Sequence, residues 1–264
     1  MFCKRLILKA ALALTLTLAA GAVSAAPVYW TDWTSQIAGA GFIGQGTITT
    51  PTATVTVTYT NPQGIGFYQP SGGAYYYSNG TDGPTGTSPY TSALVDNRPP
   101  TTDIIALTNA GNQTLAFSQA IANPVFSYVS LNGNGYGFNQ DFDILSFGDP
   151  SDGGNACGYW GCGTSFKNIT TVNGQTEYQL LGTGEPHGTL RFTGTFNTVS
   201  WRSLSNEYWN GFTVGIQETA VAFCTANPTD PQCNSSGVPE PASLALLGIG
   251  LVGLAAARRR KVQY

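Results

Sequence analysis

The 264-residue sequence contains one histidine and one methionine, and it is poor in lysine and arginine. Seven of the 11 cations lie at the two chain ends, so residues 27–241 keep four cations against all 14 acids, a net charge of 4 − 14 = −10. Nucleic-acid binding depends on neutralising phosphates with many basic side chains. The shortage of cations therefore excludes a nucleic-acid-binding class.

The scarcity of histidine also restricts the catalytic classes. A Ser, His and acid arrangement would have to use His187, and no GxSxG motif accompanies it. We therefore predict that His187 is a turn or strand-edge residue. Glycosidases need only two carboxylates, so a polysaccharide hydrolase stays open as an alternative. Its acids would come from Glu177, Glu185, Glu207, Glu218 and the aspartates, and no spacing singles out a pair.

Long amphipathic helical segments and internal repeats are also missing, and short alternating segments take their place. These segments are rich in β-branched or aromatic residues and are bounded by Gly, Asn, Pro or Ser. They are TATVTVTYT from 52, TLAFS from 114, residues 125–131, FDILSF from 142, EYQLL from 177, TLRF from 189, TVSW from 198 and FTVGI from 212. Strands at this spacing predict an all-β fold, an antiparallel β-sandwich of jelly-roll type, over residues 27–224.

Two segments differ from these strands. Residues 68–100 are rich in glycine and proline and do not alternate, which predicts either a functional loop or a mobile one. Residues 225–237 have the composition of a linker.

The first 26 residues have the order of a secretory signal peptide. A basic start is followed by the apolar stretch from Ala10 to Ala20 and by small residues before Pro27. This order predicts export through the Sec translocon and cleavage by signal peptidase near Ala25 or Ala26.

The last 27 residues, 238–264, combine a short motif, an apolar run and a basic end. The motif is Val238, Pro239, Glu240 and Pro241, the uncharged run is 242–257, and the basic end is Arg258, Arg259, Arg260 and Lys261. As a helix, the run would rise roughly 24 Å, against a hydrocarbon core of about 30 Å. We predict a transmembrane helix that spans the inner membrane transiently, with the cations on the cytoplasmic side.

This arrangement resembles the PEP-CTERM sorting signal of Gram-negative surface proteins, which a membrane protease of the exosortase type recognises. The resemblance implies cleavage near residues 239–241 and release of an exported domain. It also implies a place at the cell surface or in the extracellular matrix, with exopolysaccharide and biofilm. An ordinary C-terminal membrane anchor is the alternative. Residues 114–147 and 184–216 resemble, more loosely, a β-domain that recurs in exported proteins with this tail, which implies a sandwich and carries no catalytic residues across.

Four cysteines lie in the region predicted to be exported: Cys157, Cys162, Cys224 and Cys233. An even count outside the cytoplasm predicts disulfides, and four cysteines allow three pairings. Their spacing favours the local pairs 157–162 and 224–233. A four-thiolate zinc site is the alternative.

Carboxylate and amide side chains are densest between residues 141 and 155. They are Asp141, Asp143, Asp149, Asp152 and Asn155, and three glycines accompany them. Ca²⁺ takes six to eight oxygen ligands from such groups, often on flexible loops. We predict no cofactor for this chain, and a structural calcium site in this segment is the alternative to solvated strand and turn residues.

Several aromatic residues lie in Gly- or Asn-rich contexts outside the alternating segments. We select Tyr76, Tyr159, Trp160 and Trp209 as candidate glycan contacts, because their side chains combine an apolar face with a polar end. Packing in the core is the alternative for each. The sequence as a whole predicts a non-catalytic, exopolysaccharide-associated surface or matrix protein with weak glycan binding. A secreted hydrolase and a purely structural or adhesive subunit remain the alternatives.

Overall fold

The computed structural model describes residues 25–37, 41–78 and 88–233, most of which form two antiparallel β-sheets. The seven-stranded sheet contains β1 (Tyr29–Trp30), β5 (Phe67–Gln69), β6 (Ile104–Leu107), β8 (Val125–Val129), β10 (Phe142–Phe147), β13 (Gly188–Phe192) and β15 (Asn210–Ile216). The nine-stranded sheet contains β2 (Asp32–Ile37), β3 (Phe42–Thr49), β4 (Thr54–Asn61), β7 (Gly111–Ala122), β9 (Tyr136–Phe138), β11 (Gly163–Val172), β12 (Gln175–Gly184), β14 (Thr195–Ser203) and β16 (Glu218–Thr219).

The two sheets form a β-sandwich, as the alternating segments predict. The strand order is β10-β13-β8-β15-β6-β5 in the first sheet, where β1 pairs with β15. It is β11-β12-β9-β14-β7-β4-β3-β2 in the second, where β16 pairs with β7. From β7 to β16 the chain changes sheet at every connection except the β11–β12 hairpin. Both sheets are therefore built together from the same stretch of chain.

The strands bury alternate side chains between the sheets. In β4, Val55, Val57 and Tyr59 are buried, whereas the threonines between them are exposed or half-buried. In β7, Leu115 and Phe117 are buried with the same alternation. Because successive side chains of a strand point to opposite faces, this period of two places one face of each strand in the core.

Aromatic rings join the two sheets at the centre of the core. Phe126 of β8 and Phe212 of β15 stack with their ring centroids 4.9 Å apart. Trp201 of β14 in the opposite sheet is buried and meets Phe212 edge to face at 5.2 Å. Phe138 of β9 meets Phe192 of β13 at 5.0 Å. Such edge-to-face pairs are worth about 0.5–1.5 kcal/mol each beyond their buried area.

Several strands lie outside the predicted segments, each for a visible reason. All four residues of β6 are buried, so its sequence does not alternate. Strand β11 lies at the edge of its sheet and is largely exposed. Strand β3 contains Gly46, where a β-carbon would overlap the backbone of Asp32 and the side chain of Thr31. Because Gly46 has no side chain, β2 can lie close to β3. The same glycine interrupts the alternating apolar pattern that would identify β3 as a strand.

Loops gather at one end of the sandwich, which we call the loop end. There β10 and β8 finish beside the starts of β13 and β15, as the pairs Phe147 with Gly188 and Val129 with Gly211 show. The antiparallel pairing therefore brings together the connections β8–β9, β10–β11, β12–β13 and β14–β15.

The chain leaves the sandwich through a short helix, α1 (Ala220–Ala226), and a 3₁₀ turn (Pro231–Cys233). Thr219 caps the helix, its hydroxyl accepting a hydrogen bond from the amide of Ala222 at 3.2 Å. The disulfide between Cys224 and Cys233 holds the turn against the helix. The predicted sandwich boundary at residue 224 thus falls inside a helix, and the first residues of the predicted linker are folded.

Three predicted segments lie largely or wholly outside the described residues. They are the signal peptide up to residue 24, the end of the linker at 234–237, and the sorting signal at 238–264. Residues 79–87 of the 68–100 segment also lie outside. Within the described ranges, no helix is long and apolar enough to cross a membrane.

Candidate functional site

Four aromatic side chains meet at the loop end and form a surface group, which we call the aromatic patch. Its members are Tyr76, Tyr159, Trp160 and Trp209, the four candidate glycan contacts. The ring centroid of Tyr76 lies 5.1 Å from that of Tyr159 and 5.0 Å from that of Trp209. The rings of Tyr159 and Trp160 are 4.9 Å apart. Trp160 is 52% exposed and Tyr159 39% exposed, so part of the patch faces solvent.

A disulfide loop presents the two exposed members of the patch. The bond between Cys157 and Cys162 closes this loop, which confirms the local pairing that the spacing favours. Inside the loop, the amide of Gly158 donates to the carbonyl of Gly161 at 3.0 Å. Gly158 packs against the imidazole of His187, where a β-carbon would overlap the ring. The loop is thus fixed at its base, with Tyr159 and Trp160 on its outer side.

The tyrosines of the 68–100 segment divide between the core and the patch. Tyr77 and Tyr90 are buried and meet edge to face at 5.3 Å, and burial raises the pKa of both phenols. Tyr76 is half-buried and also touches Phe67 of β5, at 6.1 Å between centroids. The described part of this segment therefore packs on the sandwich and supplies one ring to the patch.

Two half-buried carboxylates, Glu185 and Glu207, lie in connections at the loop end, and we call them the carboxylate pair. Glu185 packs beside the disulfide loop, where its amide donates to the carbonyl of Cys162 at 3.0 Å. Glu207 precedes Trp209 by two residues and accepts a hydrogen bond from the side-chain amide of Asn210 at 2.8 Å. The two belong to different connections, β12–β13 and β14–β15.

The carboxylate pair is coupled electrostatically through the β8–β9 connection. Glu185 accepts hydrogen bonds from the Ser130 hydroxyl at 2.7 Å and from the Asn132 side chain. Burial, aided by the negative charge of Glu185, raises the pKa of the Glu207 carboxyl to about 7, although its hydrogen bonds to Asn210 and Asn134 oppose the shift. The loop end therefore combines stacking surfaces with hydrogen-bonding amides and a carboxyl group, that of Glu207, whose pKa is raised.

The only histidine lies below this surface, at the start of β13. His187 is fully buried, and its Nδ1 lies 3.2 Å from the Tyr90 hydroxyl. Burial lowers its pKa to about 3, so the imidazole is neutral near pH 7. The predicted strand-edge position is therefore correct.

The five candidate calcium ligands divide into two separate groups. Asp141 and Asp143 flank the start of β10 and pair with Lys167 at 2.8 Å and Arg191 at 3.8 Å. The other three, Asp149, Asp152 and Asn155, make hydrogen bonds within the β10–β11 connection. In the described ranges, no cluster of three or more His, Cys, Asp or Glu side chains is arranged to hold a metal.

A second concavity lies away from the patch, on the nine-stranded sheet. This cleft of about 280 Å³ is lined by Gly137, Glu177, Trp201, Arg202 and neighbouring residues. Glu177 accepts two hydrogen bonds from the Arg202 guanidinium, at 2.6 and 2.9 Å, and this lowers the pKa of its carboxyl. The charge of the Glu177 carboxylate is therefore already paired with that of Arg202.

Sequence reasoning selected the rings of the patch and missed the carboxylate pair. Glu185 and Glu207 were two of several acids without a distinguishing spacing, since they are 22 positions apart on different loops. A local signal exists in hindsight: Ser130, Asn132 and Asn134 form a run of hydrogen-bonding side chains in a single connection.

One comparison with known proteins identifies a segment of the chain. Residues 237–261 match the family model described as the PEP-CTERM protein-sorting motif. No curated protein sequence and no solved structure matches the chain. The looser likeness of residues 114–147 and 184–216 to a recurring β-domain therefore stays a prediction. The match implies export and transient membrane anchoring before sorting, with exosortase as the processing partner. The chain carries a PEP-CTERM sorting signal, the mark of an exosortase-sorted surface protein.

Proposed function

We propose that this protein is a non-catalytic component of an exopolysaccharide or biofilm matrix and binds glycan weakly through its aromatic patch. The sorting signal supports delivery to the cell surface. The observation that carries the binding proposal is the meeting of Tyr76, Tyr159, Trp160 and Trp209 at one partly exposed surface.

The composition of this surface suits a sugar ring. The face of a pyranose is apolar and stacks on an aromatic face, while its hydroxyls require hydrogen-bonding partners around that face. Trp160 and Tyr159 offer exposed ring surface, and the carboxylate pair with Asn132 offers partners beside it. The patch is shallow and on the surface, so we expect weak affinity for a single sugar and avidity on a polymer.

A retention assay on matrix polysaccharide tests this proposal. We expect the full chain, purified in detergent, to be retained, and Trp160→Ala to weaken retention about tenfold, the loss of one stacking contact near 1.4 kcal/mol. Tyr208→Ala is the matched control, because Tyr208 is 92% exposed and adjoins Trp209 in sequence. Failure of the wild-type chain to bind any matrix fraction would favour a structural or adhesive subunit without a glycan ligand.

The carboxylate pair favours one second candidate, a polysaccharide hydrolase. Such enzymes use one protonated and one ionised carboxyl group, and burial raises the pKa of Glu207 to about 7, which makes it the candidate for the protonated member. Release of new reducing ends from a matrix polysaccharide, abolished by Glu207→Gln, would support this candidate. Retention without product formation would support the non-catalytic proposal.

A further inference from the structure

The carboxylate pair and the aromatic patch lie at the same end of a sandwich with few cations. The described residues contain four basic side chains, and three of them pair with acids elsewhere: Lys167 with Asp141, Arg191 with Asp143, and Arg202 with Glu177. The fourth, Arg98, lies over the ring of Tyr75, 5.3 Å from its centroid. Lys167, Arg191 and Arg202 therefore already have acidic partners other than the carboxylate pair.

The side chains that hydrogen-bond to the pair carry no charge. Ser130 and Asn132 donate to Glu185, and Asn210 donates to Glu207. Glu185 lies beside Gly161, whose β-carbon position would be 3.6 Å from the Glu185 γ-carbon, next to Trp160 in the disulfide loop. Glu207 lies two residues before Trp209. Glu185 thus lies against the disulfide loop that carries Trp160, Glu207 is close to Trp209 in sequence, and the side chains that donate to both acids are neutral.

We propose that the ligand of this surface is a glycan with free, protonated amino groups, a polymer of hexosamine without full N-acylation. Its sugar rings stack on the patch while its ammonium groups bind Glu185 and Glu207. This inference rests on the proposed glycan-binding function and adds the charge of the ligand.

Three physical effects favour an ammonium-bearing sugar over other classes. A hydrogen bond between an ammonium and a carboxylate is stronger than one between neutral groups. Cations are also attracted to the faces of Trp and Tyr rings, which this surface exposes at Trp160 and Tyr159. A polymer of uronic acids would instead meet like charge, both at the pair and across the acidic exported region.

Isothermal titration of the full chain in detergent tests this inference with three hexasaccharides. These are hexameric glucosamine, its fully N-acetylated form, and a hexameric uronate. We expect glucosamine to bind about tenfold more tightly than its N-acetylated form, the effect of one hydrogen bond to a charged group, and the uronate to bind more weakly than either. Added salt should reduce the preference for glucosamine, because it screens charge and leaves stacking largely intact.

Two variants test whether the preference for glucosamine depends on the carboxylate pair. The double variant Glu185→Gln, Glu207→Gln should bind glucosamine and its N-acetylated form equally, with affinity for the N-acetylated form retained as evidence of an intact surface. Glu218→Gln removes a glutamate on β16, beyond the other end of β15, and should keep the preference.

Equal binding of glucosamine and its N-acetylated form by the wild-type chain would overturn this inference and leave the glycan-binding function standing. Failure of all three sugars to bind, together with no retention on matrix, would overturn both. A preference that survives the double variant would overturn the assignment to Glu185 and Glu207.

Discussion

The α-carbon of Gly158 lies directly against the imidazole of His187, so that any β-carbon at position 158 would overlap the ring. His187 is fully buried and contacts Tyr90, whereas Gly158 begins the turn that carries Tyr159 and Trp160. This contact joins the exposed aromatic patch to the buried part of the sandwich. The position of the patch therefore depends on the absence of one side chain.

The first prediction concerns this contact. Gly158→Ala should lower the free energy of unfolding by about 1–3 kcal/mol, because the interior has little room for an added carbon. It should also reduce retention on glycan by displacing the disulfide loop. Thermal unfolding and the matrix assay measure the two effects.

A second substitution, at His187, provides the control for this overlap. In the double variant Gly158→Ala, His187→Ala, the cost of the alanine at 158 should largely disappear, as a double-mutant cycle would show. Additive destabilisation by the two changes would contradict a direct overlap.

The second prediction separates the two disulfides. The double substitution Cys157→Ser, Cys162→Ser should lower stability by about 2 kcal/mol, the chain-entropy value for so short a loop, and should also weaken glycan retention. Replacement of Cys224 and Cys233 by serine should reduce stability by about 2–3 kcal/mol and leave retention unchanged, since that disulfide lies by α1. If both double substitutions changed glycan retention equally, the Cys157–Cys162 loop would not be part of the binding surface.

The third prediction concerns pH. The folded protein keeps His187 neutral down to about pH 3, whereas the unfolded chain protonates it near pH 6.5. The unfolded state therefore binds the additional proton between these values, and this histidine lowers stability as pH falls, by about 1.4 kcal/mol per pH unit. His187→Gln should remove that contribution, which chemical denaturation at pH 4 and pH 7 would detect.

Glu207 changes the stability of the protein with pH in the opposite sense to His187, and it serves as the matched comparison. Its pKa is about 7 in the folded protein against 4.5 as its ordinary value, so its contribution to stability falls as pH rises through this window. Glu207→Gln should therefore stabilise the protein more at pH 8 than at pH 4. If both variants shifted the pH dependence in the same sense, the described burial of one of the two groups would be wrong.

The fourth prediction tests the sorting signal. Glu240→Ala, or deletion of residues 258–261, should leave an uncut or mislocalised precursor in the native host, because the motif and the basic end are the parts that match. Intact-mass measurement of the exported protein reads the outcome. A wild-type mature protein that still carries its tail would contradict exosortase processing, and a substitution at Tyr208 should leave processing unchanged.

Local sequence patterns predicted much of the sandwich and little of its arrangement. FDILSF from 142 coincides with β10, and TATVTVTYT overlaps β4, because a half-buried strand must alternate apolar and polar side chains. Strands β6 and β11 do not alternate, since one is buried on both faces and the other is a largely exposed edge. Which strands pair across the two sheets depends on contacts between distant segments, which no local pattern contains.

The sequence by itself determined the sorting signal and the acidity of the exported region, and it favoured the two local disulfides, because each depends on residues close together in the chain or on composition alone. It also supplied Tyr76, Tyr159, Trp160 and Trp209 as candidates. Only the tertiary structure decided that these rings meet, that Glu185 lies against their disulfide loop, and that Glu185 and Glu207 interact electrostatically. The antiparallel pairing of β8, β10, β13 and β15 places their loops at one end, so the site exists only once the seven-stranded sheet has formed.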